Sequence, residues 1–468
     1  MSQRPAGLAR WRWNPATRGR AAGERVSRTA VQRRVQSRSA IGYAPAWRSQ
    51  DAANLRGRGD VRSPLREGHD GRGSVRSSIR VNRLVLRALA AIAALAATAA
   101  GQPTVRVATW NIESVGQPGT GQYRAAAMIL DRVGADVVAL NEINGNTEAV
   151  YLEMLAAETG YSRIIVPQTN PFGSLRNAVI SRLPVIDWTV HTSRSLSGDG
   201  GANDLTRLIV EVVVDVPDTP IDLTLAANHL KAGTTNADEF RRAVEAARFE
   251  QVVADLAGSR DAFVILGDLN VTLTSVPGVP NPFTEEPGGM PQSFRLGLDL
   301  RELLYRGGGI VNNPFHYLGR WHGPSTSVLD ARQLDGGHGT HVSGRRIDYV
   351  VASHRLSAAC PPAEVYDSAD EPRGGGLPKY GDPLPPGISA AASDHLIVFA
   401  DLRIPRHAGR FGDRDDDGDA DLADAAALQT CFTGPDGGPL RQSCRVFDVD
   451  CDEDVDLVDF RAFAAAMD

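Results

Sequence analysis

Eight polar side chains stand in, or next to, apolar runs of this chain: Asn111, Glu142, His229, Asp268, Asn270, Asp348, Asp394 and His395. All are of types that bind hard cations or move protons. The sharpest stretch is Phe263-Val264-Ile265-Leu266-Gly267-Asp268-Leu269-Asn270. Its four apolar residues read as a fully buried strand, and Gly267 ends the run. Asp268 and Asn270 then share one face, because strand side chains alternate. An acid and an amide delivered from a rigid element can hold water or a phosphate beside a metal. Alone, the stretch also reads as a strand followed by an Asp/Asn turn. The other six residues argue for chemistry.

Those residues need a scaffold. Val105–Trp110 alternates like a strand and leads into Asn111, and Val137–Leu140 is a buried strand leading into Asn141-Glu142. Helical spacing covers Tyr123–Val133, and Asn146 caps a helix reaching Thr159. Strands are expected at Ser162–Val166, Ala178–Ile180, Val185–Val190, Leu208–Val216 and Ile221–Ala227. A long amphipathic helix starts at Asn236 and stops at Gly258. Val276–Pro291, rich in Pro and Gly, reads as a loop. Ile347–Ala352 and Leu396–Leu402 are later strands. Mixed strands and helices with many hairpin-like neighbours predict an α/β layered sandwich of mixed sheets over 104–405.

The ordered contexts are Thr109-Trp110-Asn111-Ile112, Ala139-Leu140-Asn141-Glu142, Asn228-His229-Leu230-Lys231, Gly267-Asp268-Leu269-Asn270, Arg346-Ile347-Asp348-Tyr349 and Ser393-Asp394-His395. Each is weak by itself. Six in this order resemble the endonuclease/exonuclease/phosphatase superfamily, the DNase I-like fold of two mixed β-sheets flanked by helices. The helix spacing after Lys231 is similar to that of its bacterial extracellular nucleases. The resemblance implies a phosphodiesterase using Mg²⁺ or Mn²⁺. The chemistry agrees: a phosphodiester gains negative charge in its transition state and needs a hard cation and an activated water. Glu142 is then the leading metal ligand, with Asn111 and Asp394 beside it. His395 is the general base, its tautomer fixed by Asp348. His229 faces the phosphate, and Asp268 and Asn270 orient water and a phosphate oxygen. Asn228 and Lys231 are the substrate-binding candidates, Lys231 on the strand face of His229. In DNase I the histidine matching His229 has a carboxylate partner, which cannot be placed here. Asp348 could instead pair with Arg345 or Arg346. Arg176 and Asn177 receive no role. His338 and His341, in a Gly-rich loop, suit a metal by spacing but read better as surface residues.

Outside this body the composition changes. The 468 residues are 42% hydrophobic with a formal charge of -6, but Arg crowds the first eighty and acids the last sixty, so overall charge says little about partners. Residues 1–80 show no period and read as a disordered basic segment. A nucleic-acid arm is the alternative. A further reading starts translation near Val81, because 81–103 has the layout of a secretory signal peptide, with Ala97-Thr98-Ala99 as cleavage site. That run is too short and weak for a membrane span. The expected setting is secreted or cell-surface and bacterial, where Cys431 and Cys444 could pair.

After a linker at 406–412, residues 413–468 form a second module. Asp413, Asp415, Asp417, Asp421 and Asp424 fall at calcium-loop positions 1, 3, 5, 9 and 12, with Gly418 at 6. Asp448, Asp450, Asp452, Asp456 and Asp459 repeat the pattern, with Glu453 where Gly is preferred. Each loop feeds a short apolar helix, Ala425–Phe432 and Phe460–Met467. The pair resembles a type I dockerin, which implies Ca²⁺ and a cohesin-type partner. The expected function is a secreted metal-dependent nuclease acting on DNA or RNA. The alternatives are a sphingomyelinase-like or other small-molecule phosphoesterase, and a non-catalytic surface binding protein.

Overall fold

The computed structural model describes residues 102–260, 262–272, 282–311, 325–358, 360–405, 411–414 and 419–467. The expectations for 1–80, for the signal peptide with its cleavage site, for most of the linker and for Asp415 and Asp417 lie outside the described residues.

In chain order the body runs β1 (Thr104–Asn111), α1 (Gly121–Val133), β2 (Val137–Asn144), α2 (Gly145–Glu158), β3 (Arg163–Ile165), β4 (Leu175–Ser181), β5 (Val185–His191), α3 (Ser193–Ser197), β6 (Ile209–Val214), β7 (Leu223–His229), α4 (Asn236–Ser259) and β8 (Phe263–Asp268). There follow β9 (Pro282–Phe283), α5 (Leu298–Arg306), β10 (Ile310–Val311), β11 (Thr326–Val328), β12 (Asp348–Ser353), α6 (His354–Ser357), β13 (Ala363–Tyr366), α7 (Ile388–Ala392) and β14 (Ile397–Arg403). The tail adds α8 (Leu422–Cys431) and α9 (Leu457–Ala466).

Two six-stranded mixed sheets form the body, in the orders β13-β14-β1-β2-β4-β3 and β11-β12-β8-β7-β6-β5. The expected layered sandwich is therefore the observed fold. Strand alternation explains the layering. Val105, Val107, Val137 and Ala139 point inward from one sheet; Leu223, Leu225, Val264 and Leu266 meet them from the other. The opposite faces bury Ala108, Leu140 and Ile180 under α1 and α2, and Ala226, Phe263 and Ile265 under α4. Burying aliphatic side chains on both faces contributes about 1.5–3 kcal/mol each, which explains the near-continuous apolar runs.

Several expected boundaries move. Asn146 does not cap α2: Asn144 holds that position, and the Asn146 Oδ1 accepts from Arg176 Nη2 at 2.8 Å. The Pro-rich stretch expected as a loop includes β9, which pairs with β10. β11 and β13 were not expected; Thr-Ser-Val and Ala-Glu-Val-Tyr carry too little apolar pattern, and their neighbours β12 and β14 supply the pairing.

In the tail, α8 and α9 begin three residues earlier than expected. Asp421 and Asp424 form a capping box on α8, and Asp456 and Asp459 form one on α9. A carboxylate at the N-cap satisfies otherwise orphaned N–H groups, so both helices can start there. The tail has its own core around Leu428, Phe447, Val455 and Phe463. Cys431–Cys444 is bridged, and Cys360–Cys451, not expected from the sequence, joins body to tail.

Candidate active site

The inward faces of β1, β7 and β8 carry Asn111, His229 and Asp268 out at one end of the sandwich. β7 and β8 are parallel, and His229 pairs in register with Asp268. β12 runs antiparallel and starts at that end, so Asp348 is opposite Asp268. Glu142 arrives differently. Simple alternation from Leu140 would turn it outward, away from the other sheet. A register shift between Leu140 and Ile143 and a left-handed Glu142 (φ 67°) break the alternation, as a β-bulge does when it re-aims a side chain. His395 precedes β14. Its N–H donates to Ser393 Oγ at 3.0 Å, while Ser393 Oγ–H donates to the Asn111 carbonyl at 2.7 Å.

Asn111 is the hub. Its Nδ2 lies 3.2 Å from Glu142 Oε1, 3.2 Å from Asp268 Oδ2 and 3.4 Å from His395 Nε2. Its Oδ1 accepts the Glu113 N–H at 3.1 Å. The amide thus turns a donor, not the expected ligand oxygen, toward the carboxylates. His395 Nδ1 donates to Asp348 Oδ2 at 2.8 Å, which leaves Nε2 facing the site. The alternative Arg346 pairing of Asp348 does not occur: Arg346 reaches the Leu329 carbonyl and Asp330.

Charge follows from this crowding. Burial pulls His395 down, but the Asp348 hydrogen bond and charge, with Asp268 and Asp394 behind them, raise it to about 9. Burial, then the Asp348 carboxylate, push Asp268 up to about 7. His229 falls well below its ordinary value because it is buried, with Arg207, His395 and Lys231 adding repulsion. It is therefore neutral. Neither ring nitrogen has a hydrogen-bond partner among the described residues, yet Nε2 faces Asp268 Oδ2 at 3.6 Å and Glu142 Oε1 at 3.7 Å. A neutral imidazole offers a hydrogen bond, not the proton of an imidazolium.

The oxygens of Glu142 and Asp268 converge on one amide nitrogen, beside a histidine with two orphaned nitrogens. Such a buried, oxygen-rich, anionic set fits Mg²⁺ or Mn²⁺. Glu142, Asp268 and Asp394 would hold the ion, joined by Asn111 if its amide reverses. Asp394 is half-exposed, with Oδ1 3.9 Å from His395 Nε2.

Other expected residues stand elsewhere. Asn228 shares the outer face of Ala226, not that of His229, and its Oδ1 accepts the His229 N–H at 2.9 Å. Lys231 lies beyond the end of β7, so it shares no strand face with His229; its Nζ pairs with Asp238 Oδ1 at 2.9 Å. Asn270 does not follow strand alternation either. It is left-handed (φ 53°), and its Nδ2 donates to the Leu230 carbonyl at 3.0 Å. His338 and His341 do not converge: His338 faces Asp330 and His341 faces Asp394.

Two supporting features escaped the sequence reading. Asn141, fully buried, ties the sheets together. Its Nδ2 donates to Asn177 Oδ1 (2.9 Å) and the Asn228 carbonyl (3.0 Å), and its Oδ1 accepts the Asp268 N–H (3.1 Å). Thr340 Oγ1 donates to Asp348 Oδ2 at 2.7 Å. The Asn141 signal was present, since an amide stood inside a buried run; the Thr340 contact spans only eight residues but lies in a loop without a periodic pattern to mark it.

No curated protein matches the chain by sequence. Among solved structures, an endonuclease/exonuclease/phosphatase from Beutenbergia cavernae is 22% identical, with 65% of this chain and 72% of that one covered and a TM-score of 0.38. TDP2 from C. elegans is 14% identical (68% and 81% covered, TM-score 0.39), and the human Nocturnin catalytic domain with bound sulfate is 15% identical (64% and 94% covered, TM-score 0.38). The profile of the Endonuclease/Exonuclease/phosphatase family matches residues 108–395. That span is more than half of the chain and runs from β1 to His395, so the chain belongs to the Endonuclease/Exonuclease/phosphatase family, whose members are phosphoesterase hydrolases.

Proposed function

We propose that the body is a divalent-metal-dependent phosphodiesterase that cleaves nucleic acid. The carrying observation is the meeting of Asn111, Glu142, Asp268 and His395 around one point, with Asp348 on the far side of the imidazole. Asp348 holds the tautomer in which His395 Nε2 can take a proton from water. Neutral His229 donates a hydrogen bond to a phosphate oxygen. Asp268 and the Asn270 turn hold the water. When bound, the cation offsets phosphate charge and screens the carboxylates that keep His395 protonated. The choice of nucleic acid rests on the family description and the nuclease-like motif order.

The test is to incubate the protein with plasmid DNA, RNA and sphingomyelin, each with Mg²⁺ and with EDTA. Metal-dependent cleavage of DNA or RNA supports the proposal. Cleavage of lipid alone would move the substrate to sphingomyelinase-like chemistry. Cleavage of none would favour a binding protein.

The same proposal gives the tail two calcium loops and sets the protein outside the cytoplasm. Oxygens of Asp448, Asp450 and Asp459 lie within 4.8 Å of one another. Burial raises Asp448 to about 6 and Asp450 and Asp459 to about 7, and neighbouring carboxylates add to it. That is crowded negative charge of the kind Ca²⁺ relieves. Glu453, at loop position 6, adopts the left-handed turn (φ 68°) that the motif needs. Both disulfides suit an oxidising setting, and among the described residues no helix is long and apolar enough to cross a membrane. Calorimetry with Ca²⁺ should detect two sites; no heat would remove the calcium assignment.

A further inference from the structure

The Gly-rich loop before β12 is not a free surface loop. His341 and His395 form an antiparallel bridge. Val342 N–H donates to the Asp394 carbonyl at 2.9 Å, and Leu396 N–H donates to the Thr340 carbonyl at 2.7 Å. This backbone clasp sets the His341 ring edge-to-face on His395, with centroids 4.7 Å apart. The His341 tautomer follows from its own partner. The Ser343 N–H donates to Nδ1 at 3.1 Å, so Nδ1 keeps its lone pair and Nε2 carries the hydrogen. Nε2 lies 3.5 Å from Asp394 Oδ2. His341 and His395 are the only described side chains within ion-pair reach of the Asp394 carboxylate. A carboxylate that is 42% exposed loses rotamer entropy when it must bind a cation in one orientation.

We propose that His341 is a positioning residue for the metal site: its Nε2–H steers the half-exposed Asp394 carboxylate toward the cation and the phosphate. The assignment rests on the metal-dependent reading above. Hydrogen-bond partners that orient a ligand typically change metal affinity by about 10–100-fold when removed.

Mn²⁺ binding to the whole protein, followed by electron paramagnetic resonance with the tail loops filled by Ca²⁺, reads this without turnover. His341→Ala should weaken Mn²⁺ binding by about 10-fold or more. His341→Gln, which keeps a donor near Nε2, should restore most of it. In an Asp394→Asn background His341→Ala should have little further effect. The apparent Mg²⁺ requirement for cleavage should rise in His341→Ala, with kcat at saturating Mg²⁺ changed much less. Wild-type affinity in His341→Ala would overturn the proposal, as would equal losses in the Ala and Gln variants. A wild-type protein that binds no Mn²⁺ in the body would instead fail the metal-dependent reading, and this inference with it.

Discussion

Asp348 does two things to His395: it fixes the tautomer, and it raises the imidazole's proton affinity. The second effect has a sign that can be checked. The folded value, about 9, lies above the ordinary 6.5, so this contribution to stability is complete below pH 6.5 and disappears as pH rises through about 9. In the metal-free protein, nuclear magnetic resonance should therefore find His395 titrating near 9, and Mg²⁺ should move it down. Asp348→Asn removes the charge as well as the correct tautomer. Its expected effect is a fall in kcat of roughly 10²–10⁴-fold, with the rising limb of the pH–rate profile shifted to lower pH. An unshifted limb would separate that limb from His395. His229 presents the reverse case, a neutral ring whose nitrogens have no hydrogen-bond partner among the described residues.

The elements explain which of these residues could be read in advance. Asn111, His229 and Asp268 stood at the ends of apolar runs, and the runs became β1, β7 and β8. Parity along a strand then puts such residues on the inner face. Where the backbone leaves simple alternation, parity misleads. Glu142 needs a bulge and Asn270 a left-handed turn, and neither leaves a local mark. Lys231 lies past its strand, where Asp238 at the start of α4 captures it. Gly267 shows the same sensitivity to backbone. Its φ is 154°, and a Cβ there would sit 1.8 Å from the Asn228 carbonyl oxygen. Gly267→Ala should push β7 and β8 apart and cost more than about 3 kcal/mol, measured by urea unfolding, because overpacking and a strained backbone act together. Asn141→Ala should cost about 1–3 kcal/mol, since it strands the Asp268 N–H.

At the scale of the molecule, the body and tail depend on different conditions. In the second loop Asp450 and Asp459 rise from 3.8 to about 7. Raised acids stabilise the fold below the unfolded value, and that stability is lost as pH rises through the folded one. Between about pH 4 and 7, the tail in EDTA should therefore melt at a lower temperature as pH increases, and Ca²⁺ should reverse the trend. Cys360–Cys451 spans 91 residues and links the loop to the body. Replacing both with Ser should lower stability by about 2–4 kcal/mol while leaving the residues around Asn111 in place. The central claim is that both sheets deliver oxygen ligands to one cation. Anomalous diffraction from crystals soaked in Mn²⁺, with Ca²⁺ present to fill the tail, tests it most directly. The account predicts a peak touching both Glu142 and Asp268, one from each sheet, that vanishes in Glu142→Gln. Mn²⁺ found only in the tail, in crystals of protein that still cleaves DNA or RNA, would contradict it.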